Sequence, residues 1–128
     1  MEYTPKRIEP IILDEGNIDG FDYIILSFGT HPAARIRIPP EHQFYKKIDV
    51  DSFNVDCHGG LEFAGDNLSY TNNICGWFIG WNYNKNGDYR YHNGQGKRKI
   101  IAKVKKWTTD EIKTEVENVI KQLIEKAG

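Results

Sequence analysis

Residues 107 to 128, WTTDEIKTEVENVIKQLIEKAG, limit the fold more than any other stretch of the chain. Thr108 is followed three residues later by Glu111, the spacing of a capping box, in which a hydroxyl and a carboxylate satisfy each other's backbone amides at a helix start. Ile112, Val116, Val119, Ile120 and Leu123 then recur on one helical face, and Lys126 and Gly128 fit the helix dipole and the C-cap. The pattern predicts a helix over about 109–126. A helix with one apolar face must bury it, and the apolar residues elsewhere alternate rather than repeat every three or four positions. The expected fold class is therefore α+β: a mostly antiparallel β-sheet with the C-terminal amphipathic helix packed on it. At 128 residues the chain has the size of one core, so 1–128 is read as a single α+β domain.

The strands follow from period-two patterning. Phe21, Tyr23 and Ile25 alternate with Asp22, Ile24 and Leu26, and after the breaker GTHPAA a return run sets Ile36 and Ile38 against Arg35 and Arg37 until Pro39-Pro40 ends it. This pair reads as a β-hairpin. Residues 40 to 48, PEHQFYKKI, suggest one or two helical turns with Phe44 and Ile48 on one side. Phe53, Val55 and Cys57, then Leu61 and Phe63, read as a strand interrupted by a bulge at Gly59-Gly60. GWFIGWNY, residues 76 to 83, has the apolar density of a central strand covered on both faces. An Asn- and Gly-rich loop with an Asn86-Gly87 turn follows, and KRKIIAKVKKW alternates once more before the helix.

Charge narrows the function. The formal net charge is −1, so no overall field draws the chain to nucleic-acid polymers or to anionic membranes. The local cluster Lys97, Arg98, Lys99, Lys103, Lys105 and Lys106 reads as a solvated strand face. Cys57 and Cys75 lack both disulfide-scaffold density and CxxC spacing, and the N-terminus has no secretory pattern. The expected setting is a reducing cytosol, with no membrane segment.

Three constellations could carry chemistry. His58-Gly59-Gly60, with Glu62 and Asp66, joins an imidazole to a backbone that a ligand can approach closely. Trp77 and Trp81 could stack a base, with Asp88 reaching a ribose hydroxyl. Arg35 and Arg37 could clamp phosphates bidentately. No HxH, HxxxH or HxxxD pair offers two metal ligands from one element, although His58, Asp66, Asp88 and His92 are suitable residue types; no metal and no cofactor is expected. No serine sits in a GxSxG turn, and Cys57 would point away from His58 on a strand, so no nucleophile is assigned.

HGGLEF (58 to 63), GWFIGW (76 to 81) and GDY (87 to 89) together resemble a motif series in small proteins of phages and prophages, mostly from Gram-positive hosts. That series reads HGGLTY, then a WxIGFD strand, then a histidine-containing turn and GD. The similarity covers roughly residues 50 to 90. Here Glu62-Phe63 replaces Thr-Tyr, and Lys85 or Asn86 stands where the second histidine would be. Chemistry needing two histidines loses one of them, whereas a binding role does not.

The resemblance implies phage origin, and small phage proteins often counter host defence, some by trapping nucleotide immune signals as antagonists of Thoeris and CBASS do. With the bulge, arginines and aromatics in one small chain, the expected function is a phage-encoded anti-defence protein in the bacterial host cytosol that sequesters a nucleotide-derived immune signal, a cyclic nucleotide or ADP-ribose derivative. The expected ligand-binding residues are His58, Gly59, Gly60, Glu62, Trp77, Trp81, Asp88, Arg35 and Arg37, with none catalytic. One alternative is a phosphodiesterase or ADP-ribose-type hydrolase with His58 as general base. Another is a protein-interaction inhibitor of a host defence effector. Self-association into a homo-oligomer is expected of a small sheet with open edges.

Overall fold

The computed structural model describes residues 11–28, 31–66, 76–85 and 105–126. Five strands, β1 (Ile11–Ile18), β2 (Phe21–Ser27), β3 (Pro32–Ile38), β4 (Phe63–Gly65) and β5 (Trp77–Asn82), form one antiparallel sheet in the order β1-β2-β3-β5-β4. Helix α1 (Thr109–Glu125) packs on one face, giving the α+β architecture that the helix pattern demanded. The capping box forms: the Thr108 hydroxyl accepts from the Glu111 amide at 3.2 Å, and Glu111 accepts from the Thr108 amide at 3.1 Å. All five apolar residues of the helical stripe are buried.

The helix-side core joins Phe21, Tyr23 and Ile25 of β2, Ala34, Ile36 and Ile38 of β3, and Trp77, Ile79 and Trp81 of β5 to that stripe. The opposite face holds a smaller buried cluster of Ile24, Leu26, Ala33 and Phe78. Strands β2 and β5 are thus apolar on both sides, which is why their sequences read as nearly continuous apolar runs.

The hairpin of residues 21 to 38 forms, but it is preceded by a strand that its alternation does not announce. β1 joins β2 through Asp19-Gly20, whose φ values of 51° and 91° are the left-handed pair of a type I′ turn. Asn17 braces that turn by accepting from the Gly20 amide at 3.1 Å and donating to Asp22 at 3.0 Å.

Two other expectations are corrected. Residues 40 to 48 are successive turns rather than a helix, because Lys46 sits at φ 60°; Phe44 is buried while Ile48 is 75% exposed. Residues 53 to 62 are not a strand. They follow a 3-10 turn, Val50–Phe53, with Asn54 in the left-handed region, and β-pairing begins only at Phe63. What replaces a neighbouring strand is a side chain: Gln122 of α1 accepts from the Asp56 amide and donates to the Asp56 carbonyl, both at 2.7 Å.

The end of α1 is closed by the turn segment. The His42 Nδ1 accepts from the Phe44 amide at 3.1 Å, so Nε2 carries the proton and donates to the Leu123 carbonyl at 2.8 Å. Gln43 donates to the Lys126 carbonyl. The expected Gly128 cap, the Asn86-Gly87 turn and residues 97 to 104 of the expected strand KRKIIAKVKKW lie outside the described residues. Among the described residues no helix is long and apolar enough to cross a membrane.

Candidate functional site

Gly59 and Gly60 form a turn rather than a strand bulge. The Gly60 amide donates to the Cys57 carbonyl at 3.0 Å, and Gly59 at φ 71° takes the left-handed third position of a type II turn. The close approach that glycine permits is made by Lys85: a Cβ on Gly59 would fall 2.4 Å from the Lys85 Cε. Helix α1 holds the turn from below, with Glu115 accepting from the His58 amide at 2.6 Å.

The half-buried His58 ring lies parallel to Tyr83, with centroids 4.7 Å apart and planes at 11°. Trp107 meets it edge-on at 4.9 Å and tilts against Tyr83 at 5.1 Å. Beneath them Trp81 is fully buried, and its indole N–H donates to the Tyr83 hydroxyl at 3.0 Å. Glu62 is bound by Lys85 in an ion pair and accepts from Asn82 at 3.2 Å. The result is a stack of His58 on Tyr83, walled by Trp107, with the Lys85–Glu62 pair alongside. The thiol of Cys57 is poorly suited to act as a nucleophile, since burial and the carboxylates of Glu115 and Asp56 push its pKa up to about 12.

The structure brings His58, Gly59, Gly60, Glu62 and Trp81 together and holds Trp77, Arg35 and Arg37 apart from them. Trp77 shares the face of Trp81 but stands four residues away along β5, roughly 13 Å at strand rise, in the core beside Ile38. Arg35 and Arg37 project from the opposite face of the sheet. Arg35, only 5% exposed, runs across Gly80 and sets its guanidinium 4.7 Å from the Phe63 ring and 5.9 Å from Phe28. Its Nη1 donates to the carbonyls of Ala34 at 2.9 Å and Trp81 at 3.2 Å. Gly80 has to be glycine for this path, because a Cβ there would lie 2.4 Å from the Ala34 carbonyl oxygen and 2.5 Å from the Arg35 Cδ. Arg37 pairs with Asp22 at 3.4 Å. Among the described residues no single pocket therefore unites these arginines with the His58 rings. Asp88, His92 and Cys75 lie outside the described residues.

Four participants were not foreseen: Tyr83, Lys85, Trp107 and Glu115. Glu115 and Gln122 are seven residues apart on α1, flanking Val119 at the border of its apolar stripe, and that spacing was their only signal. A separate concavity of about 450 Å³, lined in part by Phe44, Lys46, Lys47, Asp49, Ser52 and Phe53, includes none of the expected site residues. Among the described residues no three His, Cys, Asp or Glu side chains group as metal ligands would. The chain matches no protein-family model, and neither a curated protein nor a solved structure shows significant similarity to it.

Proposed function

We propose that the protein binds a small nucleotide-derived anion at the His58 turn and withholds it without altering it. The observation that carries this reading is the parallel stacking of the half-buried His58 on Tyr83 beside Lys85. The imidazole presents a ring face on which a base can stack, at about 1–3 kcal/mol per base in stacking sites. Lys85, crossing Gly59, is paired with Glu62, and a phosphate would bind it by taking the place of that carboxylate. Trp107 carries Lys105 4.1 Å over its ring, but that ammonium is paired with Glu111 at 2.6 Å, so Trp107 serves the site as an aromatic wall. The arginines on the other face take no part.

Binding without turnover is supported by how the carboxylates that could partner His58 in acid-base chemistry are held. Glu62 is engaged by Lys85 and Asn82, and Glu115 by the His58 amide. On the resemblance of residues 50 to 90 to phage proteins, the ligand is a cyclic nucleotide or ADP-ribose derivative used as an immune signal in the host cytosol, and withholding it protects the phage.

A thermal-shift panel of cyclic di- and trinucleotides, ADP-ribose, its cyclic isomers and nicotinamide nucleotides tests this. Ligand at a hundredfold its Kd adds about 2.7 kcal/mol to the native state, a rise of several degrees. The rise should vanish in His58→Ala, weaken in Lys85→Ala and persist in Arg37→Ala, and heating the complex should return the ligand unchanged. A shift lost in Arg37→Ala but kept in His58→Ala would reject this site. Recovery of a cleaved ligand would replace sequestration with hydrolysis.

A further inference from the structure

β1 is one edge of the sheet, at the far side from β4, and no described strand pairs with its outer side. Edge strands are usually guarded against further pairing by charge, above all lysine, by proline or by a bulge; β1 has a bulge at Leu13 and two carboxylates, which turn away like-charged strands and leave the edge open to a basic one. Ile11–Ile18 contains no Lys, Arg or Pro, and Ile11, Ile12 and Leu13 are 64%, 44% and 42% exposed. A register shift between Ile12 and Asp14 takes Leu13 out of the ladder with β2, as a bulge does when it re-aims a side chain.

The rest of the edge is acidic. Asp14 and Glu15 follow the apolar trio, and Glu117 of α1 lies near enough to act, with Asp14, on the Tyr23 phenol. Asp14 accepts from the Tyr23 hydroxyl at 2.9 Å, while Glu15 is exposed. This charge pattern selects the occupant. If two copies paired antiparallel about the middle of β1, Asp14 of each would face Glu15 of the other, and like charges directly opposite destabilise a strand pair.

We propose that β1 is a docking edge for an extended segment of a partner protein, apolar against Ile11, Ile12 and Leu13 and basic against Asp14 and Glu15. The partner adds a strand: main-chain hydrogen bonds supply affinity, and the apolar and acidic halves of β1 supply the choice of sequence. The edge is independent of the His58 turn, so a protein partner and a small ligand can be held together.

The test is an amide NMR titration of the full chain with three acetylated octapeptides: alternating Val-Lys, alternating Val-Glu, and Val-Lys with alternate backbone nitrogens methylated. Val-Lys should shift amides of residues 11–18 and their β2 partners, while the methylated and Val-Glu peptides should not. The exposed substitution Glu15→Lys, with amide dispersion retained, should weaken Val-Lys binding about tenfold. The proposal is overturned if no β1 amide moves at about millimolar peptide, if Val-Glu or the methylated peptide binds equally, or if Glu15→Lys leaves binding unchanged. It is also overturned if the free chain dimerises through β1.

Discussion

The two faces of the sheet solve the same problem with different chemistry. On the helix side, Trp81 and Tyr83 fill the space under His58 and Trp107, and the polar atom of the buried indole is satisfied within the cluster by the Tyr83 hydroxyl. On the other side a cation is buried instead: Arg35 lies over Gly80 against Phe63 and bonds two main-chain carbonyls. One residue step along β3, from Ile36 to Arg35, separates these environments. Side chains that are neighbours in a list of functional residue types can thus be held apart by a whole sheet, and an arginine that looks like a phosphate clamp can be a structural cation.

The largest effects should come from breaking each face separately. Trp81→Ala removes a fully buried indole and the partner of Tyr83, and large-to-small changes of this kind cost about 3–5 kcal/mol. Arg35→Met keeps the stem between the aromatic rings and loses two main-chain bonds, but it also removes the cost of burying a cation, so the net loss should be smaller, about 1–3 kcal/mol. Urea denaturation of both variants checks the order; a cost for Arg35→Met above that for Trp81→Ala would reverse the account of which face holds the fold.

A middle-sized effect is expected at Gln122. Its amide stands in for a strand against Asp56, so Gln122→Ala should release residues 54 to 60, speed their amide exchange and cost about 1–3 kcal/mol. Unchanged exchange at Asp56 would show that the turn is held without the helix.

The last effect is alkaline. Burial, then the bond to Asp14, raises the Tyr23 phenol from 10.0 to about 12, and burial, then nearby carboxylates, raises the Cys57 thiol from 9.0 to about 12. In both cases the fold favours the protonated form, and the unfolded chain loses its protons first. The stability these groups contribute is therefore complete below about pH 9 and declines as pH rises toward 12. Tyr23→Phe and Cys57→Ala together should flatten the melting temperature over that window; an unchanged slope would assign the loss to other groups.

Much of the architecture was legible because it rests on period alone. The stripe from Ile112 to Leu123 and the alternation around Ile36 and Trp81 specify which residues face each other whatever the topology. β1 was not anticipated: its own IILDEGNI has little alternation to mark a strand, and only the Asp19-Gly20 pair that joins it to β2 carries a turn signal. What could not be read was partnership across the chain. Nothing local to residues 53 to 58 says that a glutamine on α1 will complete their hydrogen bonds, so an alternating run looked like a strand. Likewise the HGG stretch marked a close approach, but the approaching group, Lys85, comes from beyond β5. The candidate site was half visible for that reason: its turn was in the sequence, and its walls, Tyr83 and Trp107, were ordinary aromatics until the sheet and helix brought them together.

The division of the expected site by the sheet can be tested most directly by proton NOEs on the aromatic side chains. The account predicts contacts from the His58 ring to Tyr83 and Trp107, and from the Arg35 side chain to Phe63. Contacts from Arg35 or Arg37 to the rings of His58 or Trp81 would contradict it and restore a single pocket holding both arginines and aromatics.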